Sequence, residues 1–225
     1  MRVSKSAQVG VTAVIVVTAS MPSKSYVGQS VTLTASWDSG VGGPFRGSIT
    51  WGDGTSTSIS QTSKSLSATH TYTAKGTFNW KVAVDDEYTA GHGEATGSIT
   101  IADAVTASIS ASPASGTPPL AVTFTLGAGG GFPSYNWTLD PGDGSAPYPG
   151  TRAAAGSWTQ SHTYTKSGAF TAVLTVEDSL GTGMYAQITI GSGVRIWLPT
   201  LRKLFPNVFK YIDQVRAKIP ARPAP

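Results

Sequence analysis

Histidine and aspartate are the residues of this sequence that could do chemistry, and they occur in a repeated arrangement. The chain has three His residues, and two of them, His70 and His162, stand in the same His-Thr-Tyr motif. Each motif follows a Gly-Asp-Gly turn, whose carboxylates are Asp53 and Asp143. A His titrates near neutral pH and could act as an acid or a base, whereas an Asp in a turn could bind calcium. Duplicated active sites are rarer than duplicated fold determinants, so we predict that these four residues determine the fold.

The tyrosines of the two motifs, Tyr72 and Tyr164, are predicted to determine the fold as well. A β-sandwich can use a Tyr at such a corner, with its hydroxyl bonded back to a neighbouring loop. A calcium site would need several converging oxygens, and neither turn has the regular acidic spacing of a calcium loop, even with Asp38 or Asp140 nearby. We therefore expect the two turn carboxylates to accept hydrogen bonds from their own backbone, and we predict no metal ligands.

Other patterns that accompany catalysis are absent or weak. Adjacent acids at residues 85–87 and 177–178 could supply the two carboxylates of a glycosidase, but each group ends a predicted strand, where solvated acids are ordinary. His92 lies in a Gly-His-Gly segment and has no partner that the sequence identifies. The sequence contains no phosphate-binding glycine loop, zinc-binding helix motif, Ser nucleophile elbow or Cys. We predict a protein that is not an enzyme and that uses no cofactor.

The composition indicates that β-strands position these residues. Of 225 residues, 27 are Ser, 29 are Thr, 26 are Gly and 14 are Pro, and all four types are poor helix formers. Hydrophobic residues make up 40% of the chain, which suffices for one or two cores and excludes disorder. Apolar and polar residues alternate in segments such as 31–36 and 78–84, with no helical period. The sequence therefore predicts an all-β protein.

The chain is built from a repeat of about ninety residues. The Gly-Asp-Gly turn of residues 52–54 recurs at residues 142–144, and the His-Thr-Tyr motif of residues 70–72 recurs at residues 162–164. Gly and Phe follow both motifs at the same spacing. Because order and spacing hold across the whole unit, the sequence indicates a tandem duplication.

These motifs resemble the PKD (polycystic kidney disease) domain family, which has a Trp-x-x-Gly-Asp-Gly turn, a His-x-Tyr motif, a Gly-x-aromatic pair and a strand that ends in Asp. In the second copy Trp137 takes the Trp position, with Asp140 and Pro141 lengthening the stretch before the turn. In the first copy Ile49 replaces that Trp, and Trp51 fills the position of a Phe. The resemblance implies Ig-like β-sandwiches, a scaffold that serves many functions. It predicts two PKD-like sandwiches, at residues 8–101 and 103–190, and a separate C-terminal tail at residues 194–225.

The first twenty residues allow two interpretations. Arg2 and Lys5 precede an apolar segment over residues 9–17, and Ala19 could end a signal peptide. The repeat favours a strand instead, because residues 13–19 align with residues 106–112 and a sandwich would lose a strand without them. The segment is also too short to span a membrane. We predict a strand that is retained.

The C-terminal tail differs chemically from the repeats. Residues 194–225 contain seven basic residues and one acidic residue, whereas residues 1–193 contain nine and eleven. Apolar residues at helical spacing predict short amphipathic helices. The residues predicted to bind a partner are Trp197, Leu201, Leu204, Phe205, Val208, Phe209, Ile212 and Val215.

The apolar stripe of the tail needs a surface to cover it. We favour another protein subunit, because both sandwiches are predicted to be complete without the tail. The alternatives are the protein's own sandwich, an anionic membrane surface and, least favoured, nucleic acid. A homo-oligomer is one form that a partner subunit could take.

These features together predict a structural or interaction protein. Tandem sandwiches that lack an export signal fit a protein that assembles inside a cell and is exposed later, as phage capsid and tail proteins are. We therefore predict a virion surface, capsid decoration or tail-associated subunit. The alternative is an exported accessory module that binds polysaccharide through exposed aromatics such as Trp158, Tyr148 and Tyr135, or that binds protein, and a cell-surface or filament subunit is a third reading.

Overall fold

Every regular element in the part of the chain that the structure describes is a β-strand. The structure is a computed structural model, and it describes residues 14–38 and 43–193. The all-β prediction is confirmed for these residues. The predicted helices of the tail lie outside the described residues.

The described residues form two compact units. One unit contains the described residues up to Thr106 together with the short segments 130–133 and 178–182, and the other contains residues 107–129, 134–177 and 183–193. The strands of the first repeat are β1 Val16–Ser20, β2 Lys24–Tyr26, β3 Ser30–Asp38, β4 Phe45–Thr50, β5 Ser56–Gln61, β6 Ser65–Thr71, β7 Gly76–Asp86 and β8 His92–Ala102. Those of the second repeat are β9 Thr106–Ser112, β10 Ser115–Gly116, β11 Leu120–Gly129, β12 Tyr135–Asp140, β13 Tyr148–Arg152, β14 Gly156–Tyr164, β15 Gly168–Glu177 and β16 Gly183–Ser192.

Each repeat folds into one three-stranded and one five-stranded sheet. In the first repeat the sheet orders are β1-β3-β6 and β2-β8-β7-β4-β5. In the second repeat they are β9-β11-β14 and β10-β16-β15-β12-β13. The equivalent strands occupy equivalent places in the two repeats, which is the arrangement of two Ig-like sandwiches.

The alternating segments bury one side chain in two, as a strand between core and solvent requires. In β3 the buried residues are Val31, Leu33, Ala35 and Trp37, and Ser or Thr occupies most of the positions between them. In β15 the buried residues are Ala172, Leu174 and Val176. The apolar residues of each repeat therefore face the space between its own two sheets.

The N-terminal segment that the sequence predicts to be a strand contains strand β1. Val16–Ser20 form β1, which pairs antiparallel with β3 from Val16 opposite Asp38 to Ser20 opposite Thr34. The β-branched residues of this segment suit that pairing.

The predicted equivalence of Trp137 and Ile49 is wrong by two residues. Ile49 pairs with Val82 across the sheet, whereas Trp137 pairs with Val176. The partner at the place of Val82 in the second repeat is Leu174, which pairs with Leu139. The two repeats therefore have the same length between this strand and the Gly-Asp-Gly turn, and Asp140 and Pro141 are not an insertion.

Candidate functional site

Each Gly-Asp-Gly turn is closed by hydrogen bonds to its own aspartate. In the second repeat Asp143 Oδ1 accepts hydrogen bonds from the backbone N–H and the hydroxyl of Ser145, at 3.0 and 2.6 Å. In the first repeat Asp53 Oδ1 accepts from the same two groups of Thr55, also at 3.0 and 2.6 Å. A short side chain that accepts from the residue two positions later stabilises a tight turn.

The second oxygen of each aspartate binds the histidine of the His-Thr-Tyr motif. His162 Nε2 lies 2.8 Å from Asp143 Oδ2, and His70 Nε2 lies 2.6 Å from Asp53 Oδ2. The structure therefore brings together residues that lie 19 and 17 positions apart in the sequence. In the second repeat the other ring nitrogen, His162 Nδ1, lies 3.0 Å from the Tyr148 hydroxyl.

The tyrosine of each motif donates a hydrogen bond to the residue that precedes the turn. The Tyr164 hydroxyl donates to the Pro141 carbonyl at 2.9 Å, and the Tyr72 hydroxyl donates to the Trp51 carbonyl at the same distance. Both tyrosine side chains are fully buried. The bond back to a loop residue is the one that a tyrosine corner makes.

Stacked rings connect each turn to the core. The His162 ring contacts the Tyr164 ring edge to face, with centroids 4.6 Å apart, and Tyr164 stacks on Phe170 at 5.1 Å. In the first repeat Tyr72 stacks on Phe78 at 4.7 Å in the same way. We call each set of Asp, His and Tyr with its turn a turn cluster, at Asp53–His70–Tyr72 and Asp143–His162–Tyr164.

The environment of the turn clusters shifts their pKa values. Burial by itself would raise the pKa of the Asp143 carboxyl, but the hydrogen bonds from Ser145 and His162 outweigh burial and lower the pKa to about 2. The same balance lowers the pKa of Asp53 below its ordinary value. Burial raises the pKa of Tyr72 and of Tyr164 to about 12. The carboxylates are thus ionised and the phenols neutral throughout the physiological range.

In the second turn cluster, the carboxylate oxygens and the imidazole nitrogens all have hydrogen-bond partners within the protein. Both oxygens of Asp143 and both ring nitrogens of His162 have hydrogen-bond partners within the protein. A general base needs a nitrogen that can reach a substrate proton, and His162 presents none that lacks a partner. The geometry suits a brace for the turn, and the fold-determining role of these residues stays a prediction that mutagenesis can test.

Two strand-end acids are not the solvated residues that the sequence predicts. Asp86 and Asp178 are buried, with 1% and 3% of their surface exposed. Asp86 Oδ1 accepts from the Tyr88 N–H at 2.9 Å, and Asp178 Oδ1 accepts from the N–H groups of Leu180 and Thr182 at 2.9 and 3.1 Å. The chain after each acid turns its N–H groups back toward the carboxylate. The sequence does not show this turn, and it therefore predicts that both acids face water.

His92, which has no partner in the sequence pattern, lies between two carboxylates. Its Nδ1 is 2.6 Å from Asp85 Oδ1, and its Nε2 is 3.3 Å from Glu94 Oε1. Lys81 also binds Glu94, at 2.8 Å. The hydrogen bond with Asp85 raises the pKa of this exposed imidazole. Asp85 pairs with His92 across the β7–β8 ladder, so this contact depends on strand register, which the local sequence does not show.

The aromatic residues predicted to contact sugars are not the exposed ones. Tyr135 is buried, with 1% of its surface exposed, and Tyr148 and Trp158 are half-buried. The aromatic side chains that the described residues do expose are Tyr88 in the first unit and Tyr185 in the second, at 71% and 66%. The prediction of an exposed Tyr135 is therefore wrong.

The described part of the chain contains no group of three or more acidic or His side chains placed to hold a metal ion. Over the same residues, no helix reaches the length and apolar character that would carry it across a bilayer. The predicted partner-binding residues of the tail lie outside the described residues.

Comparison with known proteins finds a family match within the second repeat. Residues 106–184, which contain the second turn cluster, match the model of the PKD domain family. The chain carries tandem PKD-like domains. The first PKD-like domain repeats the sheet order and the turn cluster of the second. No curated protein matches the chain.

Several solved structures resemble the fold at low identity. The PKD domain of an M14-like peptidase from Thermoplasmatales archaeon SCGC AB-540-F20 is 19% identical, with a TM-score of 0.35, and the match covers 38% of this chain and 92% of that domain. The fibronectin(III)-like modules of Clostridium thermocellum CbhA are 12% identical over 78% of this chain and 94% of theirs, with a TM-score of 0.38. Domains of the PKD, Ig-like and fibronectin type are typically non-catalytic interaction modules.

Proposed function

We propose that this protein is a non-enzymatic structural subunit that joins a larger assembly through residues 194–219, as a virion surface, capsid decoration or tail-associated protein. The observation that carries the proposal is the engagement of the second turn cluster, whose carboxylate and imidazole atoms all bind within the protein. Because the side chains that could do chemistry are hydrogen-bonded within the protein, the proposal places the function in binding surfaces and not in catalysis.

The described surfaces suit display in water. In β11, the central strand of its three-stranded sheet, the exposed positions are Ala121, Thr123 and Thr125, and in β3 four of the five exposed positions are Ser or Thr. These faces are hydrophilic, yet they carry little charge. Positive charge is concentrated instead in the sequence of the tail, together with apolar residues at helical spacing. The tail is therefore the segment whose composition fits attachment to another subunit.

Deleting residues 194–225 should abolish incorporation into the assembled particle. The two PKD-like domains should keep the far-UV circular dichroism and the melting temperature of the full chain, because their sheets and turn clusters do not include the tail. Incorporation is measured by gel analysis of purified particles, and oligomeric state by light scattering. Normal incorporation of the truncated chain would contradict the proposal.

A matched pair of variants separates the possible binding surfaces for the tail. Leu204→Asp with Val208→Asp breaks the apolar stripe, whereas Arg202→Gln with Lys203→Gln removes only charge. Docking on a protein subunit predicts that the first pair abolishes incorporation and that the second leaves it nearly intact. Binding to an anionic membrane predicts that the second pair also releases the protein from vesicles that contain phosphatidylserine.

A polysaccharide-binding accessory module is the second candidate, and Tyr185 favours it. This exposed side chain lies on β16 opposite Thr175, with Gln187 two residues further along the same face. A flat ring beside hydroxyl and amide groups suits stacking on a sugar. The second candidate predicts that Tyr185→Ala reduces pull-down on insoluble cellulose or chitin at least fivefold, with Tyr88→Ala as the control. Equal pull-down by both variants would contradict it.

A further inference from the structure

Strand β14 is an edge strand of its sheet within residues 14–38 and 43–193. It pairs with β11 on one side, from Leu120 opposite Tyr164 to Ala128 opposite Gly156, and no other described strand pairs with it. The register runs through nine consecutive pairs without a bulge. A regular edge strand presents a row of backbone N–H and C=O groups that lack a neighbouring strand.

The β14 edge lacks the features that block strand addition. Gly156–Tyr164 contains no charged residue and no Pro, whereas charge, Pro and bulges are the usual protections of an edge. Of the two edge strands of the other sheet in this domain, β10 and β13, the longer strand β13 does carry such protections, namely Pro149 and Arg152. On β14 itself, Gln160 Nε2 donates to the Ser161 carbonyl at 3.0 Å, so a side chain of the same strand meets this backbone acceptor.

The inner residues of β14, Ser157 to Thr163, are similar in side-chain type to their own reverse about Gln160. In an antiparallel pair of two such strands centred on this residue, Thr159 lies opposite Ser161, Trp158 opposite His162 and Ser157 opposite Thr163. Hydroxyl pairs and pairs of rings are favourable across antiparallel strands, and no like charges meet. In the first domain β6 has the same hydroxyl pairs about Ala68, with Leu66 opposite His70, and it too is an uncharged edge with unbroken register.

We propose that a second copy of this chain pairs antiparallel with β14 about a two-fold axis at Gln160, and that β6 offers an equivalent edge at Ala68. Pairing at β14 joins the two three-stranded sheets into one six-stranded sheet and lets the edge N–H and C=O groups of the two strands bond to each other. The interface is isologous, because the same strand contributes both sides. This inference goes beyond the proposed attachment of the tail, since it involves neither the tail nor another protein.

A single cysteine on the two-fold axis tests the pairing in the full-length chain. The natural sequence has no Cys, so Gln160→Cys introduces the only thiol. Directly opposed residues of antiparallel strands have Cα atoms about 4.5–5.5 Å apart, which lies within the range of about 4.4–6.8 Å that a disulfide needs. We expect Gln160→Cys to form a disulfide-linked dimer in a glutathione redox buffer, at least tenfold faster than Thr125→Cys on the central strand β11. The readout is intact mass and non-reducing gel electrophoresis.

A second pair of variants tests the register. Thr159→Cys and Ser161→Cys each place the two equivalent Cα atoms about 8 Å apart, too far for a disulfide, whereas a mixture of the two variants opposes them directly. Mixing should therefore produce the heterodimer, and each variant alone should resemble Thr125→Cys. Both positions are exposed, so folding is not at risk. Cross-linking of Gln160→Cys and of the mixture at the rate of Thr125→Cys would overturn the proposal. That failure is distinct from failure of the tail proposal, which incorporation of the 194–225 deletion measures.

Discussion

Replacing Gly142 by Ala will destabilise the second PKD-like domain by about 3–4 kcal/mol, whereas the same change at Gly144 will cost about 1–2 kcal/mol. Both residues have positive φ, +79° for Gly142 and +86° for Gly144, so an L-residue is strained at either position. A Cβ on Gly142 would also lie well inside van der Waals contact with the Thr171 backbone carbonyl. A Cβ on Gly144 would meet nothing within 4 Å. The difference between the two variants is therefore the cost of moving the turn away from β15.

The measurement is urea unfolding of both variants, followed by far-UV circular dichroism and fitted with one transition for each domain. Gly52 repeats the geometry of Gly142 in the first domain, where a Cβ would lie 2.5 Å from the Asn79 carbonyl oxygen. Gly52→Ala should accordingly shift the transition of the first domain and leave that of the second unchanged. Equal losses for Gly142→Ala and Gly144→Ala would show that the turn can move away from β15 at little cost.

Replacing Asp143 by Ala will destabilise the second domain by about 2–3 kcal/mol at pH 7. The variant loses two hydrogen bonds from Ser145 and leaves His162 Nε2 buried without its partner. The Asp143 and His162 side chains are only 12% and 7% exposed, so water replaces these bonds poorly. Asp143→Asn should recover part of the loss, because its amide oxygen can still accept from Ser145.

The dependence on pH gives this prediction a second readout. The pKa of Asp143 is about 2 in the folded protein and 3.8 ordinarily, so the ionised carboxylate stabilises the fold above pH 3.8. That contribution, about 2 kcal/mol, is lost as the pH falls from about 4 toward 2. Asp143→Ala should therefore lose less stability than the natural protein over this interval. Glu177→Ala, which removes an exposed acid of the same domain, serves as the matched carboxylate-deletion control. Parallel acid curves for the natural protein and Asp143→Ala would contradict the assignment.

Both predictions concern residues that the sequence singles out by repetition. The Gly-Asp-Gly and His-Thr-Tyr motifs appear twice at nearly equal spacing, so their importance to the fold can be predicted without a structure. The contact of Asp143 with His162 could not be read from that spacing. It requires β14 to return alongside β11 and bring the histidine over the turn, which is a consequence of strand pairing.

The contacts that the sequence does not reveal have the same origin. Trp137 was aligned with Ile49 by residue type, but cross-strand pairing makes Leu139 the equivalent of Ile49. His92 has no partner within its own segment, and it gains Asp85 from the neighbouring strand. In each case the relevant neighbour is close in space and is set by strand register. The local sequence does not show which residues the register places opposite each other.

The sequence by itself determined the all-β class, the duplication, the turn motifs and the chemical contrast between the repeats and the tail. These properties follow from local preferences: alternation for strands, glycine for positive φ and aspartate for turns. The tertiary structure decided which carboxylates are buried, which histidine atoms are engaged and which strands are free edges. Those features arise only when residues far apart in the chain share a sheet, because hydrogen-bond partners and burial are properties of neighbours in space.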